Sequence, residues 1–285
     1  MTTIREEMNR ATRELLESGV DSPQLDAEVL MSRVIGKPRI FVIAHDELQL
    51  EQNELDRFRS HVERRKKREP LAYIIGTREF WGLDFDVASG VLVPRPDTEI
   101  LVETALSKLI GVSDPLVVDV GAGTGCIAIS IAVELPDAVV YTTDLNPIAI
   151  ELAERNAIKH DVEIRVPVIK GDLLDGLPEK LKGKLDALVS NPPYIPSDEI
   201  DDLQPEVAIY EPRGALDGGS DGLKYIRLIL EAAREYLRPG GWMILEVGMG
   251  QAEAVIDYAH SLGYVEIEVK KDLAEIERVV SARVD

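Results

Sequence analysis

The chain has 285 residues, 45% of them hydrophobic, which is enough for one or two domains with full cores. Its 52 acidic against 32 basic residues give a formal charge of -20, a surface that repels phosphate backbones unless a basic patch is set aside for them. One cysteine excludes an internal disulfide, four histidines show no ligand spacing, and no apolar run approaches membrane-spanning length.

Met1–Glu6 opens no signal peptide, so a soluble, cytoplasmic protein without a metal site is expected. Residues 1–70 read as helices only. Ile4, Met8, Ala11 and Leu15 recur on one helical face. Ser22-Pro23 is an N-cap and first-turn pair, and Gly36 with Pro38 ends the helix that follows. Leu55, Phe58 and Val62 mark a further amphipathic helix ending in Arg64, Arg65, Lys66, Lys67 and Arg68. Those five cations suit first a solvated helix C-terminus, and secondly an acidic or phosphate-rich partner such as ribosomal RNA. Nothing in this segment suggests chemistry, and a recognition domain is expected.

Residues 71–94 change character. Leu71–Ile75 and Phe80–Val87 are β-prone stretches separated by Gly76-Thr77, which predicts a hairpin connector whose aromatics, Phe80 and Trp81, pack between domains. From 95 to 285 strands and helices alternate. Strands are predicted at 116–120, 139–144, 164–170, 187–190, 242–247, 264–270 and 278–284, and helices at 97–110, 125–134, 147–158, 221–237 and 250–262. The pattern implies an α/β domain: an open sheet, helices on both faces, and a ligand crevice at the carboxyl ends of the strands. Only Asp272–Glu277 separates the last two strands, so these should pair antiparallel.

Two motifs fall at strand ends. In Val117–Gly125 a β-branched strand runs into alternating glycines and then an apolar helix, letting a ligand approach backbone near a helix N-terminus. A dinucleotide-binding turn would carry its third glycine one residue later, where Cys126 stands. Cys126 is read as a small packed residue. Asp144, closing the next strand, is positioned to accept hydrogen bonds from ribose hydroxyls.

The second motif is Ala187–Tyr194. A short apolar run ends at Asn191-Pro192-Pro193-Tyr194, where two prolines stop strand pairing and stiffen the turn. An amide side chain, rigid carbonyls and an aromatic face together suit a planar NH2 group. Downstream, Tyr210–Gly219, with Glu211, Arg213 and Asp217, forms a loop of the kind that gates substrates.

With both motifs present, the chain resembles the class I S-adenosylmethionine-dependent methyltransferases, and within them the HemK/PrmC protein-glutamine N5-methyltransferases. Gly76–Gly82, Pro94–Glu99, Tyr210–Arg213 with Ala215-Leu216, and Asp272-Leu273 with Arg278–Val280 carry that narrower resemblance. It implies a seven-stranded Rossmann-like methyltransferase sheet, a small N-terminal domain engaging the protein substrate, and S-adenosyl-L-methionine as cofactor. Gly121, Ala122, Gly123, Thr124 and Gly125 would line the methionine end of that cofactor, with Asp119 helping to hold the amino acid portion. Asp172 and Leu173 would hold adenine.

The implied substrate is the glutamine of the Gly-Gly-Gln tripeptide in class 1 peptide-chain release factors. A carboxamide nitrogen is a poor nucleophile, since its lone pair is delocalised. The Asn191 oxygen and the Pro192 carbonyl would accept its two N–H bonds, and Tyr194 would pack on the amide plane. An exocyclic NH2 of adenine or guanine suits the same motif, so a nucleic-acid amino-methyltransferase is the rival reading. The charge and the lack of an RNA-binding module weigh against it.

Overall fold

The computed structural model describes residues 2–285. They form two units, the first holding residues up to Thr77 together with Gln204–Tyr210, the second Arg78–Leu203 with Glu211–Asp285.

The first unit begins with α1 (Ile4–Glu17), α2 (Pro23–Ile35), α3 (Arg39–Ala44), α4 (Gln52–Lys66) and α5 (Leu71–Ile75). A reciprocal capping box opens α1, in which Thr3 Oγ1 accepts from the Glu6 N–H and Glu6 Oε2 accepts from the Thr3 N–H. Pro23 opens α2, and Gly36 ends it in the left-handed region. Leu15, Leu30, Met31 and Phe58 fill the core between these helices.

The stretch Leu71–Ile75 is helical and not a strand. Pro70 precedes its first turn, Gly76 ends it at φ 82°, and Ala72, Tyr73 and Ile74 are buried. Burial of one helical face has overridden β propensity here. The connector hairpin is consequently later and shorter than expected, β1 (Thr77–Phe80) and β2 (Leu83–Asp86), turning at Trp81-Gly82, both with positive φ. Phe80 and Phe85 lie in the core of the second unit itself, with residues of the following helix and the sheet.

The second unit continues with α6 (Glu99–Lys108), β3 (Leu116–Val120), α7 (Cys126–Glu134), β4 (Val139–Asp144), α8 (Pro147–Lys159), β5 (Val168–Lys170) and β6 (Leu185–Ser190). The chain then supplies α9 (Pro205–Ala208) to the helical unit before returning through α10 (Lys224–Tyr236), β7 (Leu237–Glu246), α11 (Ala252–Ser261), β8 (Tyr264–Lys271) and β9 (Glu277–Val284). The sheet has seven strands in the order β5-β4-β3-β6-β7-β9-β8. Its first five strands run parallel, and β9 pairs antiparallel with both β7 and β8, as the short connection between the last two strands required.

Alternate residues of each strand feed opposite cores. Val118, Leu188, Met243 and Leu245 pack with α10 and α11, while Val117, Ala187, Val189 and Ile244 pack with α6 and α7. The strand predicted at 164–170 forms only from Val168. Arg165 and Pro167 still offer carbonyls to the Val140 and Thr142 N–H groups, but Pro167 has no N–H to give and Ile164 points to solvent.

Four of the five cations at the end of α4 are paired within the helical unit. Arg64 pairs with Glu69, Lys66 with Glu14 and Glu63, and Arg68 with Glu206. Arg65, 8% exposed, bridges Asp26 and Glu206 at 2.7 Å each. Tyr210 adds a hydrogen bond from its hydroxyl to the Lys67 carbonyl at 2.7 Å. This pairing is not legible from local pattern, because Glu206 lies 138 residues beyond Arg68.

Candidate active site

The carboxyl ends of β3, β4 and β6 open on a cavity of about 340 Å³, within the usual range for small-molecule sites. Eight of the residues singled out from the sequence line it: Gly121, Gly123, Asp144, Asp172, Leu173, Asn191, Pro192 and Pro193. Asp119, Ala122, Thr124, Gly125 and Tyr194 do not. Gly90–Leu92, Leu145, Asn146, Ser190, Pro212 and Tyr225 also line it, and none of these was singled out from the sequence as a site residue. The signal for Leu145 was available in principle, since it is an apolar residue directly after the strand-ending acid.

The glycine turn divides its labour. A Cβ on Gly121 or Gly123 would meet open space, and each is held at a positive φ of 89° or 53°. They serve the backbone conformation and leave the cavity floor clear. At Gly125 a Cβ would sit 2.9 Å from Ile129 Cδ1 and 3.2 Å from Ala153 Cβ, so this glycine lets α7 and α8 approach.

Asp144 braces that turn. Its Oδ2 accepts from the Gly123 N–H at 2.9 Å and its Oδ1 from the Asn146 N–H at 2.8 Å. Each carboxylate oxygen keeps acceptor capacity for a ligand hydroxyl. Asn146 then caps α8 through the Ile148 N–H and donates to the Gly90 carbonyl, tying the connector to the rim.

Asp119 is fully buried. Its Oδ2 accepts from Thr142 Oγ1 at 3.3 Å, whereas Oδ1 has no partner among the described residues. Burial, with the neighbouring Asp144 charge adding to it, pushes its pKa well above the carboxylate range against the hydrogen bonds that hold it down. Cys126 is also enclosed, with a pKa pushed up to about 12 by burial, which agrees with an inert packed thiol. Leu173 stands at φ 51° after β5, its carbonyl held by Thr143 Oγ1 at 2.7 Å. A left-handed leucine is costly, and the hydrogen bond helps to fix it where it lines the cavity.

At the end of β6, Ser190 Oγ donates to the Val120 carbonyl at 2.6 Å and locks the two strand ends together. Asn191 Nδ2 donates to Thr98 Oγ1 at 3.0 Å. The Asn191 Oδ1 and the Pro192 carbonyl have no hydrogen-bond partner among the described residues. Tyr194 turns its hydroxyl to Glu246 Oε1 at 3.2 Å, and its carbonyl accepts from Gln251 Nε2 at 2.8 Å. Burial pushes the Tyr194 hydroxyl well above its usual range, and the adjacent Glu246 pushes it further. Glu246 itself is raised to about 7, chiefly by burial, while Thr98, Tyr194 and Arg278 favour its charged form. Glu211, enclosed like Glu246, holds the returning chain by accepting from Arg95 at 2.5 Å.

The chemistry of this lining suits an adenosine bearing an amino acid chain. Open glycine backbone, carboxylate acceptors at the end of β4, apolar Leu145, Leu173 and Ile229, and an orphaned Asp119 oxygen beneath provide the corresponding surfaces. None of the described residues forms a cluster able to hold a metal ion, and none of the helices is long and apolar enough to cross a membrane.

Comparison with known proteins agrees with the geometry. Residues 6–76 match the family model of the PrmC N-terminal domain, and residues 96–216 that of the methyltransferase small domain. A release factor glutamine methyltransferase of Geobacter sulfurreducens is 45% identical over 99% of this chain and 97% of its own length. One of Clostridium acetobutylicum is 40% identical over 98% of each. Among solved structures, a methyltransferase of Pyrococcus furiosus shares the fold with a TM-score of 0.52 and 18% identity, over 82% of this chain and 98% of that one.

Proposed function

The chain belongs to the release factor glutamine methyltransferase family, and from that premise we propose that it methylates the side-chain amide nitrogen, N5, of the Gly-Gly-Gln glutamine in class 1 release factors. Its cofactor is S-adenosylmethionine. When bound, that cofactor supplies an electrophilic methyl group on a sulfonium that departs as a neutral thioether.

Gly121 and Gly123 leave room for its methionine end, Asp144 accepts from the ribose hydroxyls, and Asp172 and Leu173 flank adenine. Asp119 acts from beneath the turn, and Ala122, Thr124 and Gly125 shape it. The observation that carries the reading is the state of Asn191. Its NH2 end is engaged by Thr98, which leaves Oδ1 and the neighbouring Pro192 carbonyl as two unsatisfied acceptors in a cavity wall. Two such acceptors take both N–H bonds of a carboxamide and raise the electron density on its nitrogen. Pro193 stiffens the turn and Tyr194 walls it. No strong base is required, because the methylated nitrogen sheds its proton to water once the sulfonium charge is gone.

Residues 1–70 serve release-factor recognition, 71–94 connect, and 95–285 carry the chemistry in the cytoplasm. The pairing of Arg64, Arg65, Lys66 and Arg68 within the helical unit supports a protein and not a nucleic acid as partner, since those cations are already engaged.

The test offers labelled cofactor with release factor, ribosomal RNA and duplex DNA separately. Label should enter the release factor alone, and a Gln→Glu release factor should accept none, because a carboxylate has no N–H to give. Asn191→Ala should lower turnover by about 10²–10³ with little change in cofactor affinity. Label in nucleic acid and not in release factor would promote the nucleobase reading.

A further inference from the structure

Glu246 closes β7 and is 1% exposed, yet the chemistry above makes no use of it. An enclosed carboxylate is costly to keep unless its neighbours need it. Its Oε1 accepts from the Tyr194 hydroxyl, and its Oε2 is enclosed without a well-formed partner among the described residues. The Thr98 hydroxyl stands close enough to favour the charged form, as does Arg278 of β9, against the like charge of Asp97.

Thr98 is itself 2% exposed, and its oxygen takes the Asn191 N–H. A hydroxyl has one proton. With its oxygen accepting from Asn191, the proton of Thr98 is left for the carboxylate behind it. The Asn191 N–H donates to Thr98, which leaves the Thr98 O–H free to turn toward Glu246. An amide is nearly symmetric in shape but not in polarity, so packing alone does not choose between its two orientations. Reversed, Asn191 would aim N–H groups at the N–H groups of the substrate.

We propose that Thr98 and Glu246 are positioning residues for methyl transfer, setting the polarity of the Asn191 amide so that Oδ1 faces the substrate nitrogen. The inference rests on the reading of Asn191 given above and adds what fixes its orientation. Thr98 lies in the stretch Pro94–Glu99, so that stretch contributes to the site through its hydroxyl.

Thr98→Val keeps the shape and removes the hydroxyl. Its kcat on intact release factor should fall about 10–100-fold, with KM for the release factor and calorimetric cofactor affinity within about threefold of wild type. Thr98→Ser should bring kcat back toward wild type. Glu246→Gln, of equal size, offers an amide that donates to Thr98 and should also lower kcat without weakening cofactor binding.

Wild-type turnover in Thr98→Val overturns the proposal, as does a Thr98→Ser variant as slow as Thr98→Val, since packing would then be the cause. Where Thr98→Val does not fold, wild-type kcat in Glu246→Gln overturns it equally. Asn191→Ala is assayed beside them. Full turnover in that variant sinks the reading of Asn191 itself, whereas slow Asn191→Ala with fast Thr98→Val sinks only the positioning role.

Discussion

Burial holds the Glu246 pKa at about 7 against Thr98, Tyr194 and Arg278, which favour its charged form. A neutral Glu246 carries its own O–H and donates toward Thr98, which reverses the donation that orients Asn191. We therefore expect kcat on release factor to rise with pH across about 6–8 and then level off, and Glu246→Gln to lack that limb. Stability should move the other way. The folded state binds this proton more tightly than the unfolded state, so the stability it contributes is complete below the ordinary carboxylate range and is lost as pH rises through about 7. Thermal unfolding of wild type against Glu246→Gln would show it as a relative loss of Tm across that window, and parallel curves would place the titration elsewhere. Asp144 supports a second expectation. Asp144→Ala removes acceptors for a ligand and for the Gly123 and Asn146 N–H groups together. A hydrogen bond to a charged group contributes about 1.5–3 kcal/mol, or roughly ten- to over a hundred-fold in affinity. Calorimetry on a folded variant with unchanged S-adenosylmethionine affinity would remove Asp144 from the cofactor site.

At the scale of elements, the turn after β6 depends on a glycine that the sequence placed inside a helix at 221–237, which forms only from Lys224. Gly222 has φ 73°, and a Cβ there would lie 2.3 Å from the Tyr194 carbonyl oxygen and 2.4 Å from Gln251 Nε2. Gly222→Ala should therefore displace the Tyr194 carbonyl and slow methyl transfer about tenfold or more. Cofactor affinity should hold, because Gly222 is not in the cavity wall. Equal losses of turnover and cofactor binding would mean that the whole strand end has moved. The strands and helices of the second unit were legible in the sequence because each obeys a local rule, β-branched runs ending in glycine, acid or proline and apolar periodicity between them. The cavity followed, since strand ends and crossovers fix where a parallel sheet opens. Leu71–Ile75 was misread because five apolar residues have no period long enough to separate helix from strand, and Pro70 and Gly76 were the better guides. Thr98 and Glu246 were not assignable, since their roles depend on strand ends 93 and 52 residues from their partners Asn191 and Tyr194.

For the whole molecule, the helical unit is assembled from two separate pieces of chain. All residues lining the cavity lie at Gly90 or beyond, so removing residues 1–70 should leave cofactor binding intact. It should nonetheless lower kcat/KM on release factor by at least about tenfold, a loss of 1.4 kcal/mol or more in recognition. The same deletion takes away Asp21, Arg65, Lys67 and Arg68, the partners of Gln204, Glu206 and Tyr210. A truncated chain that modifies release factor at the full rate would refute the recognition role. The two-piece construction also bears on how the chain is made. A ribosome releases Arg68 138 residues before Glu206, a delay of about 7–28 s at 5–20 residues per second. Until then Arg65 has Asp26 as its carboxylate partner, beside the Glu69 carbonyl, in a site that ends almost sealed from water. The helices that emerge first are thus completed only after the glycine turn and β6 have been synthesised.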